Sequence, residues 1–138
     1  MLKYKTTVER VTDNFHDLGP LLKMLGVKLV SIKPGYCKLK MKVNQEHMNP
    51  HRVLHGGIPF ILADTAMGLA ISKLLKETEL SATVNMEIYF YRSVTGPTEL
   101  STEGRVIQKG DRIVYTEAMV KRENDTIAKA TAVFYIKK

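Results

Sequence analysis

The chain has 138 residues, 44% hydrophobic and 25% charged, the size and composition of one globular domain, which excludes wholesale disorder. Cys37 is the single cysteine, so an internal disulfide and a cysteine-based zinc site are both excluded. The 21 Lys and Arg against 14 Asp and Glu give a net charge of +7, but the positive residues are scattered, so the surface should attract small anions and nucleic-acid binding is not expected.

In chain order, Val8, Val11, Phe15, Leu18, Leu21, Leu22 and Leu25 have helical spacing, broken at Gly19-Pro20. Two short N-terminal helices within residues 1–26 follow, with Gly26 as the stop. The start, Met1-Leu2-Lys3-Tyr4-Lys5, lacks the apolar block of a signal peptide, and no stretch has the purity of a membrane span. A cytoplasmic protein without membrane contact is expected. Val27–Ile32 and Tyr36–Val43 flank Lys33-Pro34-Gly35 and predict a hairpin. Cys37, Leu39, Met41 and Val43 alternate with Lys38, Lys40 and Lys42, so one face should be buried and the other wet.

Residues 44–57 are polar and turn-rich and predict a loop. A central helix is expected over 58–76. Across Ile58–Leu75, 12 of 18 residues are apolar and they cover nearly every side of a helical wheel, which predicts burial inside the protein or an assembly. Pro59 suits a first helical turn. Ser81–Tyr91, Glu99–Gln108, Arg112–Lys121 and Thr126–Ile136 are rich in β-branched and aromatic residues and are separated by good turn chemistry. They predict an antiparallel sheet. The economical arrangement is a single α+β domain over 1–138, with a curved six-stranded sheet wrapped around one long helix. The uncovered edges and outer face of that sheet favour a homo-oligomer.

The chemistry concentrates between His47 and Asp64. His47, His51 and His55 share the loop, and Gly56-Gly57 stand where it enters the helix. The first N–H groups of a helix have no internal partner, and glycine lets a ligand oxygen approach them, which is the wiring of an oxyanion hole. Asp64 lies two helical turns beyond Gly57, among Phe60, Ile61, Met67, Gly68 and Ile71. A carboxylate there is costly unless it is hydrogen-bonded, wet or used. It could serve as general base or nucleophile on a carbonyl held near Gly57, or as a structural carboxylate. The four-residue histidine spacing could suggest a metal, but Pro50 and the two glycines argue against a helix there, so no metal site is expected.

His47-x-Asn49, His55-Gly56-Gly57 and Leu62-Ala63-Asp64-Thr65-Ala66 together resemble the signature of hotdog-fold acyl-CoA thioesterases of the phenylacetate-degradation (PaaI) type, from about residue 10 to the C-terminus. The resemblance implies that two subunits pair into a continuous sheet and form two active sites across their interface, a homodimer at minimum and a tetramer as a dimer of dimers. It implies that the Gly57 amide polarises the thioester carbonyl, beside Gly56. Asn49 and His55 would support the pocket, and Asp64 of the opposite subunit would be nucleophile or base. Thr83 would help place the water. Arg92, Lys109 and Arg112 would meet the nucleotide of coenzyme A, itself part of the substrate, with no other cofactor. At Arg52 the family usually has glycine, so either the loop backbone differs or a positive group is added near the pocket entrance.

Hydrolysis of an aryl-acetyl, medium-chain or long-chain acyl-CoA is the activity this resemblance implies. Two other readings compete. A hotdog hydratase or dehydratase is weakened because His47 stands where that motif needs Asp, and its Pro-to-His spacing is one residue short. A non-catalytic acyl-CoA binder leaves the costly Asp64 unexplained.

Overall fold

Helix α1 (Pro20–Leu25) opens the part of the chain described by this computed structural model, residues 18–138. The first of the two expected N-terminal helices lies outside the described residues. Strands β1 (Lys28–Lys33) and β2 (Tyr36–Val43) form the expected hairpin, and a short 3-10 turn (Gln45–His47) begins the loop. Helix α2 (Gly57–Ser72) follows, and then β3 (Leu80–Phe90), β4 (Thr98–Lys109), β5 (Ile113–Arg122) and β6 (Asp125–Lys137). Each strand lies within two residues of its predicted position. The helix ends at Ser72, short of the predicted 76. The Ser72 hydroxyl donates to the Leu69 carbonyl at 2.6 Å, and such a side-chain bond competes with the helical ladder.

The sheet is antiparallel throughout, with strand order β1-β2-β4-β5-β6-β3. Helix α2 lies across one face and packs on all the strands. The β2 alternation is as predicted: Cys37, Leu39, Met41 and Val43 are buried and Lys40 and Lys42 are exposed. Close approach of helix to sheet depends on Gly104, where a Cβ would come 2.5 Å from the Ala66 carbonyl carbon. The fold matches the hotdog arrangement expected from the sequence. Among the described residues no helix is long and apolar enough to cross a membrane.

Two features position the site. First, β3 is an edge strand, paired among the described residues only with β6. Its register shifts between Thr83 and Asn85, so Val84 is an extra bulged residue. The bulge lets Thr83 face the helix and still turns Met86, Ile88 and Phe90 inward. Met86 and Ile88 pack on the core and Phe90 reaches the start of α2. Val84, Tyr89 and Phe90 nevertheless remain 63%, 62% and 53% exposed. Second, α2 is not covered on all sides within one chain. Phe60 is exposed and Ile61, Asp64 and Gly68 are half-buried, and their spacing puts them along one side of the helix.

Candidate active site

Asp64 and Thr83 come together. The Thr83 hydroxyl donates to Asp64 Oδ1 at 2.6 Å. The second carboxylate oxygen takes no hydrogen bond among the described residues, and both side chains are open to solvent on one side. A half-buried carboxylate braced by one hydroxyl, with its other oxygen free, can take a proton from a water held between the two groups.

The loop before α2 is held by its own side chains. His47 Nδ1 accepts from the Asn44 N–H at 3.0 Å. Asn49 Oδ1 accepts from the His51 and Val53 N–H groups at 2.9 and 3.3 Å, so Asn49 braces the turn that carries the histidines. His55 Nδ1 accepts from the Gly57 N–H at 2.8 Å. Imidazole nitrogens of His47 and His55 are thus committed to backbone amides, and among the described residues no three His, Cys, Asp or Glu side chains are placed to share a metal ion.

The His55–Gly57 bond bears on which glycine amide is available. The Gly57 amide, read from the sequence as the carbonyl-polarising donor, is already spent on the imidazole two residues back. The neighbouring Gly56 N–H donates to no group among the described residues. Gly56 is the helix cap, with φ −59° and ψ −23°, and Phe90 roofs it: a Cβ there would meet the ring at 3.3 Å. The free donor is therefore Gly56, with His55 fixing the turn beside it.

Gly56 and Asp64 do not converge within one chain. Eight residues of helix separate them by about 12 Å, too far for an aspartate side chain to span. They also sit at opposite ends of β3, Gly56 against Phe90 and Asp64 against Thr83.

Arg52 keeps a left-handed backbone, φ +64°, where the sequence left open a different loop. Its N–H donates to the Asn49 carbonyl at 2.9 Å, closing the turn, and its side chain borders a surface groove of ≈ 460 Å³ with Asn49 and Thr95. A non-glycine residue in this conformation carries a cost of about 1–2 kcal/mol. Arg52→Gly is therefore expected to raise stability by up to about 1 kcal/mol, read as a higher urea midpoint at unchanged m-value.

The other predicted cations do not meet in one chain. Arg92 follows the Phe90 end of β3, while Lys109 and Arg112 flank the β4–β5 turn near the Thr83 end. Arg112 donates to the Tyr135 hydroxyl at 3.1 Å. Cys37 is buried, which pushes its thiol up to about 12 and removes it as a nucleophile at neutral pH. Sequence reasoning missed two neighbours of the site, Phe90 over Gly56 and Phe134 beside Thr83, and neither left a signal; Gly68, one turn past Asp64, stands on the side of the helix where its spacing put it.

Comparison with known proteins gives a consistent answer. The thioesterase superfamily pattern (4HBT) matches residues 51–129, which include the histidine-glycine loop, Asp64 and Thr83. A protein of Archaeoglobus fulgidus is 30% identical over 96% of this chain and 85% of its own. Acyl-coenzyme A thioesterase PaaI of Escherichia coli is 30% identical over 77% of this chain and 74% of its own. The solved structure of a conserved protein of Pseudomonas aeruginosa superposes with a TM-score of 0.82 at 28% identity, covering 87% of this chain and 95% of the other.

Proposed function

The chain belongs to the thioesterase superfamily, and from that premise we propose that two copies of it together hydrolyse an acyl-CoA to the free acid and CoA. The observation that carries this reading is the split site: a braced carboxylate at one end of β3 and an unspent helix-start N–H at the other.

Antiparallel pairing of two β3 edges would set the Thr83 end of one copy beside the Phe90 end of the other. The eleven-residue edge carries exposed apolar side chains and no lysine or proline to block pairing. The same pairing covers the half-buried stripe of α2. It supplies two sites, each with Asp64 and Thr83 from one copy and Gly56 from the other.

In each site the Gly56 N–H would donate to the thioester oxygen as negative charge develops on it. Asp64 either takes a proton from the attacking water or attacks the carbonyl carbon itself, and Thr83 steadies it in both cases. The tetrahedral intermediate collapses with cleavage of the C–S bond, and CoA leaves as thiolate; on the direct-attack route this leaves a mixed anhydride with Asp64, which water then cleaves to the free acid and the restored carboxylate. Oxygen-18 in a single turnover separates the routes, since only direct attack places label in the enzyme. His55 and Asn49 are positioning residues that hold the loop. For the nucleotide, the pairing would bring Arg92 of one copy toward the Lys109–Arg112 turn of the other, and Arg52 lies at the groove beside the loop. A tetramer needs a second interface, for which the outer sheet face offers Ile107, Tyr115 and Tyr135.

The test is free-thiol release from a panel of acyl-CoAs. Release that requires Asp64 supports hydrolysis. Hydration of crotonyl-CoA without thiol release would assign a lyase, and binding without either reaction would assign a sensor.

A further inference from the structure

Within one chain, Gly68 has no packing reason to be glycine. It lies in the middle of α2, one turn past Asp64 and on the same face. Glycine is the least favourable residue for a helix interior after proline. At Gly104 the fold demands it, because a Cβ would strike the Ala66 backbone. At Gly68 a Cβ would meet only Phe134 Cε2, at 3.6 Å, an ordinary van der Waals distance, and the φ is not left-handed. The missing side chain is one that a single chain's fold would accept, so what occupies the space lies between this helix face and the second copy.

That space borders the reaction centre. Phe134 is the cross-strand partner of Thr83, and Thr83 holds Asp64. Gly68 is half-buried, so the space opens outward. Apart from Asp64 and Thr65 on the preceding turn, it is bordered by apolar groups, the Phe134 ring on one side and Ile61 on the same helix face. At the next turn the Ser72 hydroxyl is spent on the Leu69 carbonyl. Against the Phe134 and Ile61 walls the amide-bearing arm of CoA would find no partners, whereas a hydrocarbon needs none.

We propose that Gly68 is a specificity-determining residue: its absent side chain makes room beside Asp64 for the acyl group, with the Phe134 ring as a wall. This deepens the thioesterase reading and rests on it. The space suits the acyl groups larger than acetyl that the sequence resemblance also implies, and it ties that preference to one residue.

The test compares wild type, Gly68→Ala and Gly68→Leu on acetyl-, hexanoyl-, dodecanoyl- and phenylacetyl-CoA. Gly68→Ala should fold with a Tm at or above wild type. Gly68→Leu should lower kcat/KM for the larger acyl groups about tenfold or more while acetyl-CoA turnover stays within about twofold. Should the leucine variant fail to fold, the alanine variant reads the same shift at smaller size. A Tm lowered by alanine would mean a packing role and overturn the proposal. So would equal loss on every substrate, or none on any. Wild type that releases thiol with an unmoved chain-length profile defeats this inference alone. Wild type that releases thiol from no acyl-CoA defeats the thioesterase reading with it.

Discussion

Asp64→Asn is expected to lower thiol release from acyl-CoA by about 10²–10⁴-fold, the range for losing a positioned base, and to leave the fold intact. Asparagine keeps the shape and can still accept from the Thr83 hydroxyl at the oxygen that now receives it. What it cannot do is take a proton from water or attack a carbonyl. The half-buried setting means that no large burial energy is lost with the charge, so the thermal midpoint should move little. Thr83→Ala should cost less, because it removes the brace and not the base. Comparing the two variants on one substrate measures how much of the rate comes from holding the carboxylate still.

Gly56→Pro is expected to lower the rate by about 10²–10³-fold, the typical cost of one lost oxyanion donor. Proline fixes φ near −65°, and Gly56 already sits at −59°, so the substitution deletes the N–H with little change of backbone at that residue. Gly56→Ala is the control. It keeps the N–H, and its Cβ meets only the rim of the exposed Phe90 ring at 3.3 Å, which can give. If alanine retains most of the activity and proline does not, the donated hydrogen carries the effect. Substituting Gly57 probes something else, since its amide serves the His55 ring and its Cβ would come 2.9 Å from that ring's Nδ1.

Much of this was legible in the sequence, for physical reasons that differ by element. The strands were readable because burial on one face writes a two-residue period, clearest in Cys37 to Val43. Helix α2 was readable from apolar density, but its open stripe was not. Which side stays uncovered depends on where the β3 edge falls, and that is a property of strand order. Asp64 with Thr83 was reached through resemblance, and the coordinates supply the bond between them. The choice between two adjacent glycines was beyond reach, because it turns on one imidazole rotamer at His55. Arg52 shows the reverse. A glycine-like backbone persists there under a larger side chain at a cost in strain, so residue type alone left the loop open and the backbone decides for the added positive group.

The split site rests on distances inside one chain, and one mixing experiment tests it directly. Asp64→Asn and Gly56→Pro protein, each inactive, would be unfolded together, refolded as a mixture and assayed for thiol release. If each site draws its carboxylate from one copy and its amide from the other, mixed pairs contain one intact site, and random pairing restores about a quarter of wild-type activity. Activity that stays at the level of the separate variants, in a mixture shown to contain mixed pairs, would place both groups in one chain and contradict the account.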